Sequence, residues 1–342
     1  MHHALRLRLD AAALTSNWRW LQRTAGTAAG AAVKADGYGL GARGVTRLLG
    51  DAGCRDFFVS TWAEAEALGP LPDAASLSVL HGVGPDDLAT AIASSARPVL
   101  NTAHQVARWK DAAPGRPCDV MVDTGMNRLG LRVEELGSLD GLAIDTLMSH
   151  LACADEDSAM NAAQLGRFRE VVAAVPAKRA SFANSAGICL GPDYGFDLVR
   201  PGLALYGGVP RAEAQGHITQ VAFPEAEVIQ RRTIRAGESV GYGATWSAPA
   251  DTDAAIVNLG YADGYLRCFA GKGGARFGDA ALPLIGRVSM DLVALDCAAA
   301  PHLAEGDWVT MDYALPAAAE ASSLSQYELL TGLSQRFERR WL

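Results

Sequence analysis

Short apolar runs recur through the first two thirds of the chain, at 31–35, 56–60, 76–82, 97–101, 118–123, 144–150, 179–185 and 198–207, with helix-length segments between most of them. Runs this short, bounded by turn residues, predict buried strands, and strands that alternate with helices predict parallel pairing. Eight such units in roughly 200 residues fit a closed (β/α)8 barrel better than an open sheet. Several helices carry start signals: Thr61-x-x-Glu64 and Thr102-x-x-Gln105 read as capping boxes, and Ser158 opens a segment that runs through Ala174. Ahead of the first run, alternation over Leu5–Leu9 reads as a half-exposed strand, and Asp10 is placed to cap a helix with Leu14, Trp18 and Leu21 on one face. The fifth and seventh helices are short and the eighth, near 211–216, is faint, so seven units are read directly and one is inferred.

From about Phe223 the pattern changes to short alternating segments broken by glycine and proline. Strands are expected at 228–234, 254–259, 282–290, 292–295 and 308–311, with Glu305-Gly306-Asp307 as a turn. A terminal helix is expected from Ser325 to about Arg339, because Leu329, Leu330, Leu333 and Phe337 fall at helical spacing behind a Ser325-x-x-Glu328 box. The fold class is therefore α/β: a (β/α)8 TIM-type barrel over 10–222, and a mainly-β domain over 223–342 that takes in the N-terminal strand, 1–9.

Composition narrows the partners. A net charge of −8, with no lysine or arginine run longer than a pair, argues against a nucleic-acid or anionic-membrane surface. Six scattered cysteines without metal spacing read as reduced thiols of a cytoplasmic protein, and no disulfide or zinc site is implied. The start lacks the apolar core of a signal peptide, and no apolar segment reaches ~18 residues, so no membrane partner is expected. The adjacent His2 and His3 read as terminal decoration.

The chemistry gathers at strand ends. AAVKADGYGLG, at 31–41, delivers Lys34 from a buried run into a turn studded with Gly37, Gly39 and Gly41, which let the backbone turn and approach a ligand. An ammonium held at the end of a buried strand loses solvation, which lowers its pKa and favours a free amine able to condense with an aldehyde. Asp123 and Arg128 follow the fifth run, His150 ends the sixth, Asn184 and Ser185 end the seventh, and Arg200 precedes a Pro-Gly turn in the eighth. That is the face where barrels place active sites. An aldehyde-binding lysine, a phosphate cradle and a partner for a ring nitrogen are the requirements of pyridoxal 5'-phosphate. Ser185 and the Gly202-Leu203 backbone lie after strands seven and eight, where barrels commonly bind phosphate.

On AAVKADGYGLG, DTGMNRLG from Asp123, MSHLACADE from Met148, ANSA from Ala183, VRPGLALYG from Val199, VGYGATW from Val240, LGYADGY from Leu259 and GRVSMD from Gly286, the chain resembles the alanine racemases. These are two-domain, barrel-type pyridoxal phosphate isomerases. The resemblance implies that Lys34 holds the cofactor and serves as base on one face of the substrate Cα. Tyr242, from the β domain of the partner subunit, would serve the other face, and a homodimer with shared active sites follows. It further implies Arg200 at the ring nitrogen, His150 hydrogen-bonded to that arginine and to the tyrosine, and Arg128 together with the backbone of Met290 of the partner subunit at the substrate carboxylate. Tyr38, Ser185, Gly202 and Leu203 would hold the phosphate. Supply of D-alanine for peptidoglycan is the implied role, with a catabolic one as the alternative.

The chain departs from that pattern at three places. Met121 stands where many relatives carry a carbamylated lysine that orients the DTGMNRLG arginine, so an anion or water is expected beside Arg128. Gln335 or Phe337 falls near a late phosphate-binding tyrosine, and Ser181 stands where a histidine often precedes ANSA. Asp291 reads as structural, and His81 and Trp246 as packing residues. Competing readings are a racemase of broader scope that also takes serine, a barrel-type decarboxylase, and a non-catalytic carrier of the cofactor. VGYGATW argues against the carrier, and neither Cys268 nor Cys297 resembles the decarboxylase motif.

Overall fold

The computed structural model describes residues 3–342, so His2 lies outside the described residues. The chain forms two compact units, one made of Ala13–Thr219 and the other of the chain up to Ala12 together with Gln220–Leu342.

The first unit is a parallel barrel. Its strands are β2 (Ala28–Ala29), β3 (Ala31–Ala32), β4 (Asp56–Val59), β5 (Ser76–Val79), β6 (Arg97–Leu100), β7 (Cys118–Met121), β8 (Ile144–Met148), β9 (Arg179–Ser181) and β10 (Leu198–Val199), β1 (Leu5–Leu9) belonging to the other unit. The order runs β2-β10-β9-β8-β7-β6-β5-β4-β3, and every pairing is parallel. β2 and β3 are one strand interrupted at Gly30. Its N–H bonds Val199 O at 2.9 Å, while a Cβ there would sit 2.6 Å from Asp56 O and 2.8 Å from the Phe58 ring. Only glycine lets the first strand pass between its two neighbours and close the barrel. Counted this way the barrel has the eight strands that the apolar runs foretell.

The capping signals act as read, with one variation. Thr61 and Thr102 accept the N–H groups of Glu64 and Gln105, and Ser158 caps helix Ala159–Ala174. The Glu64 and Gln105 side chains reach one residue further back than a standard box, to the N–H groups of Ser60 and Asn101. The fifth and seventh connections are a 3-10 turn, Val133–Leu139, and a short helix, Ser185–Cys189, and the eighth is a 3-10 turn at Ala212–Ala214.

The second unit is antiparallel β, built around the long strand β11 (Ala222–Ile234). After a two-stranded pair, β12 (Ser239–Val240) and β13 (Trp246–Ser247), come β14 (Thr252–Val257), β15 (Gly274–Phe277), β16 (Ala280–Ile285), β17 (Val293–Asp296) and β18 (Trp308–Met311), which with β11 close a ring, since β11 pairs with both β18 and β14. A bulge between Val228 and Gln230 lets one strand serve two neighbours. β1 (Leu5–Leu9) joins the first half of β11, and a last strand, β19 (Glu338–Trp341), pairs parallel with β1. Here the structure corrects the sequence reading. The Ser325 box caps a helix that covers only Gln326–Thr331, and the chain then turns to become β19. Leu329, Leu330, Leu333 and Phe337 are all buried as expected, but the last two are buried outside the helix.

Candidate active site

The barrel's first strand ends in a left-handed turn. Ala35, Asp36, Gly37 and Tyr38 have φ of 52°, 51°, 63° and 55°, so three non-glycine residues occupy a region that costs about 1–2 kcal/mol each. The turn is held by Gly37 N–H to Val33 O, Gly39 N–H to Ala35 O and Gly41 N–H to Asp36 O, and by Asp36 Oδ1, which accepts from Ala42 N–H at 2.8 Å. From outside the turn, Glu64 Oε1 accepts the Ala35 N–H at 2.8 Å. Strain concentrated beside one lysine marks a constrained site.

Lys34 differs from the chain's other three lysines. Lys110 donates to Ser138 O, Lys178 sits 3.6 Å from Asp145, and Lys272 donates to Ala321 O. Burial lowers the Lys34 pKa; the charge of Arg128 adds to this, Glu64 opposes it, and Arg200 lowers it further. The amine is therefore biased toward its neutral, nucleophilic form. His150 feels the same field: burial, then Arg200, Arg128 and Lys34, push it down to about 3, so it is a neutral imidazole near pH 7. These interactions bring Lys34, Arg128, His150 and Arg200 into one cluster.

Arg200 is buried and fixed on both sides. One guanidinium nitrogen donates to Ser181 Oγ and the other to Ser149 O, both at 2.6 Å, and burial brings its pKa down to about 10. Ser181 Oγ in turn donates to Leu198 O. Ser181 is thus an acceptor for the arginine. Ser149 also meets Thr124 Oγ1 at 2.8 Å, which ties the Arg128 loop to the Arg200 site. That loop is shaped by Asp123 Oδ1, acceptor for the Gly125 and Met126 N–H groups, and by Gln164 and Arg167, which donate to Thr124. Arg128 itself is exposed, and Met121 is buried against Gly130. Among the described residues the Arg128 guanidinium has no hydrogen-bonding or ion-pairing partner.

Tyr38, Ser185, Gly202 and Leu203 come together on the same unit. Ser185 Oγ accepts from the N–H groups of Gly202 and Ala204 at 3.0 and 3.2 Å, and a Cβ on Gly202 would collide with Tyr38 Oη. Tyr38 is buried and stacks on Tyr206, whose hydroxyl donates to Ala32 O. Leu203 opens the 3-10 turn Leu203–Tyr206, where a first N–H has no acceptor within the turn.

Tyr242 and Met290 belong to the other unit, where three of the quoted motifs converge. Gly286 packs on Val240, Gly243 on Arg287 and Gly260 on the Met290 carbonyl, which accepts the Ala262 N–H at 3.0 Å. Tyr242 is 69% exposed and Met290 53%, both high for apolar or aromatic residues held in a tight loop. Asp291 pairs with Arg336 at 2.7 Å, in keeping with a structural role, and Trp246 packs beside Ile234 and Ile285. His81 is exposed and so is not a packing residue. Sequence reasoning missed Glu64, Thr124, Ser149 and Gln164 as supports of the charged groups; the last three are uncharged, and nothing in their residue types marked the role.

Models of the alanine racemase N-terminal and C-terminal domains match residues 9–210 and 221–341. The chain belongs to the alanine racemase family. It is 42% identical to the catabolic alanine racemase of Agrobacterium fabrum, over 98% of this chain and 92% of that protein. To the biosynthetic alanine racemase of the same organism it is 39% identical, over 99% and 94%. The crystal structure of alanine racemase from Bartonella henselae with covalently bound pyridoxal phosphate is 33% identical and covers all of both chains, with a TM-score of 0.90. The family assignment therefore spans both units.

Proposed function

We propose that the chain is a pyridoxal phosphate-dependent alanine racemase that interconverts L- and D-alanine with two bases, Lys34 and Tyr242. The observation that carries this reading is the desolvated Lys34 amine set among Arg128, His150 and Arg200.

The residues present fit the cofactor. A surplus of positive charge suits a phosphate and a carboxylate, and the cradle of Tyr38, Ser185, Gly202 and Leu203 is so close that no side chain fits at Gly202. When bound, pyridoxal phosphate supplies an electron-withdrawing ring that acidifies the Cα proton of an attached amino acid. Lys34 would hold it covalently at rest and, once freed, take or return the proton on one face of Cα. Arg200, fixed by Ser181 and Ser149, would donate to the ring nitrogen; an arginine keeps its own proton, which limits how strongly the ring draws electrons and disfavours side reactions. Arg128 and the backbone of Met290 of the partner subunit would orient the substrate carboxylate. His150, neutral, keeps one ring N–H that could donate to the phenol oxygen of Tyr242 of the partner subunit, a weak base unless its anion is stabilised.

Racemisation requires removal from one face and return on the other, so a second group must stand opposite Lys34. The exposure of Tyr242 and Met290 supports a homodimer in which Tyr242 of the partner subunit fills that place. A cytoplasmic location, no nucleic-acid or membrane partner, and supply of D-alanine for peptidoglycan complete the reading; among the described residues no helix is long and apolar enough to cross a membrane.

The test is D-alanine formation from L-alanine with added pyridoxal phosphate, beside Tyr242→Phe and with L-serine as second substrate. Racemisation of alanine that is lost or made one-sided in the variant supports the two-base reading. Comparable rates on serine would point to the broader racemase, and cofactor uptake without racemisation to a carrier.

A further inference from the structure

We propose that Glu64 is a positioning residue for Lys34, its carboxylate clamping the strained turn that presents the lysine and facing the amine as a counter-charge. The inference rests on the reading of Lys34 as the cofactor-binding amine. In a standard capping box, the third helical residue turns its carboxylate back to the N-cap N–H. Glu64 instead divides its oxygens between the ends of two barrel strands: Oε2 accepts from Ser60 N–H at 2.6 Å, just after β4, and Oε1 accepts from Ala35 N–H at 2.8 Å, just after β3. The peptide it holds is the one joining Lys34 to Ala35, where the backbone enters the left-handed region at φ 52°, ψ 47°. Thr61 secures the helix from the other side, accepting the Glu64 N–H at 3.2 Å, so the carboxylate is free to serve the turn. Around the amine, Arg128, Arg200 and His150 are the basic groups and Glu64 is the carboxylate that favours the ammonium. Without it, burial and the two arginines act unopposed on Lys34.

The experiment compares the full-length chain with E64A, E64Q and T61A, measuring amide hydrogen exchange over residues 34–41 and the dissociation constant for pyridoxal phosphate. It also follows the pH dependence of cofactor attachment to Lys34, trapped with borohydride and mapped by mass spectrometry. E64A should release the Ala35–Tyr38 amides to exchange and weaken cofactor binding roughly tenfold. T61A, which loosens the same helix but keeps both carboxylate contacts, should leave exchange in the turn and affinity within about twofold. E64Q should move the pH midpoint of attachment downward, because the charge that favours the ammonium is gone. Equal effects of E64A and T61A would reduce Glu64 to a helix cap and overturn the proposal, as would an E64Q midpoint that stays or rises. A wild-type chain that takes no cofactor on Lys34 would count against the proposed function, while the exchange comparison would still decide the clamp.

Discussion

The two ends of the barrel both bury charge, and they do so in opposite ways. At the strand starts, Arg97 pairs with Asp119 and Asp145 at 3.2 Å, and Arg179 pairs with Asp56 at 2.9 Å and Asp145 at 3.0 Å. The Arg179–Asp56 pair joins β9 to β4, strands separated around the ring by β10 and the split first strand, so it crosses the lumen. Asp119 is fully buried; burial pushes its carboxyl up, and Arg97 and the Ser78 hydroxyl draw it back. With Lys178 beside Asp145, three cations meet three carboxylates. At the strand ends, Lys34, Arg128 and Arg200 share one field, and the carboxylate of Glu64 opposes the lowering of the Lys34 pKa. A buried charge must find a partner or shift its protonation. The first end finds its partners within the chain and is structural; the second has surplus positive charge, which an anionic ligand would satisfy.

Substitutions at the two ends should therefore separate activity from stability. Lys34→Ala should lower alanine racemisation by at least about 10^4-fold while leaving urea stability unchanged or raised, since a desolvated ammonium is removed. Asp119→Ala should do the reverse, losing about 3–5 kcal/mol in urea unfolding while the folded fraction keeps its turnover. Equal losses of activity in the two variants would break the distinction. Ser181→Ala takes an acceptor from Arg200, and should cost about 1.5–3 kcal/mol, read as a fall in kcat/KM with little change in barrel secondary structure by circular dichroism.

A pH titration sharpens the same contrast. The folded-state pKa of His150 lies below its unfolded value, so between about 6.5 and about 3 the unfolded chain binds the extra proton. Stability is then lost as pH falls through that window, with a slope of up to about 1.4 kcal/mol per pH unit from this one group. His150→Asn should flatten the slope by that amount in unfolding measured across pH; an unchanged slope would place His150 outside the positive cluster.

The barrel was legible in the sequence because parallel strands covered on both faces are short apolar runs, and because Thr61, Thr102 and Ser158 mark helix starts within three residues of the N–H groups they cap. Lys34, Arg200 and Ser185 were legible as strand-end polar residues. The left-handed turn was hidden: its three glycines suggested freedom, but Ala35, Asp36 and Tyr38 adopt positive φ as well, and what holds them includes a glutamate from the next βα unit. β19 was hidden for a related reason. Its partner is β1 at the opposite end of the chain, and a local apolar spacing of three and four residues looks helical whichever way those residues become buried. Contacts within a few residues leave a local pattern; contacts between distant segments do not.

The most direct measurement is to load the full-length chain with pyridoxal phosphate, reduce it with borohydride and map the modified residue among Lys34, Lys110, Lys178 and Lys272. Modification of Lys34 alone, abolished in Lys34→Ala and retained in the folded fraction of Asp119→Ala, is the expected result. Labelling spread over the other three lysines, or absent altogether, would contradict the assignment of the positively charged barrel end as the cofactor site.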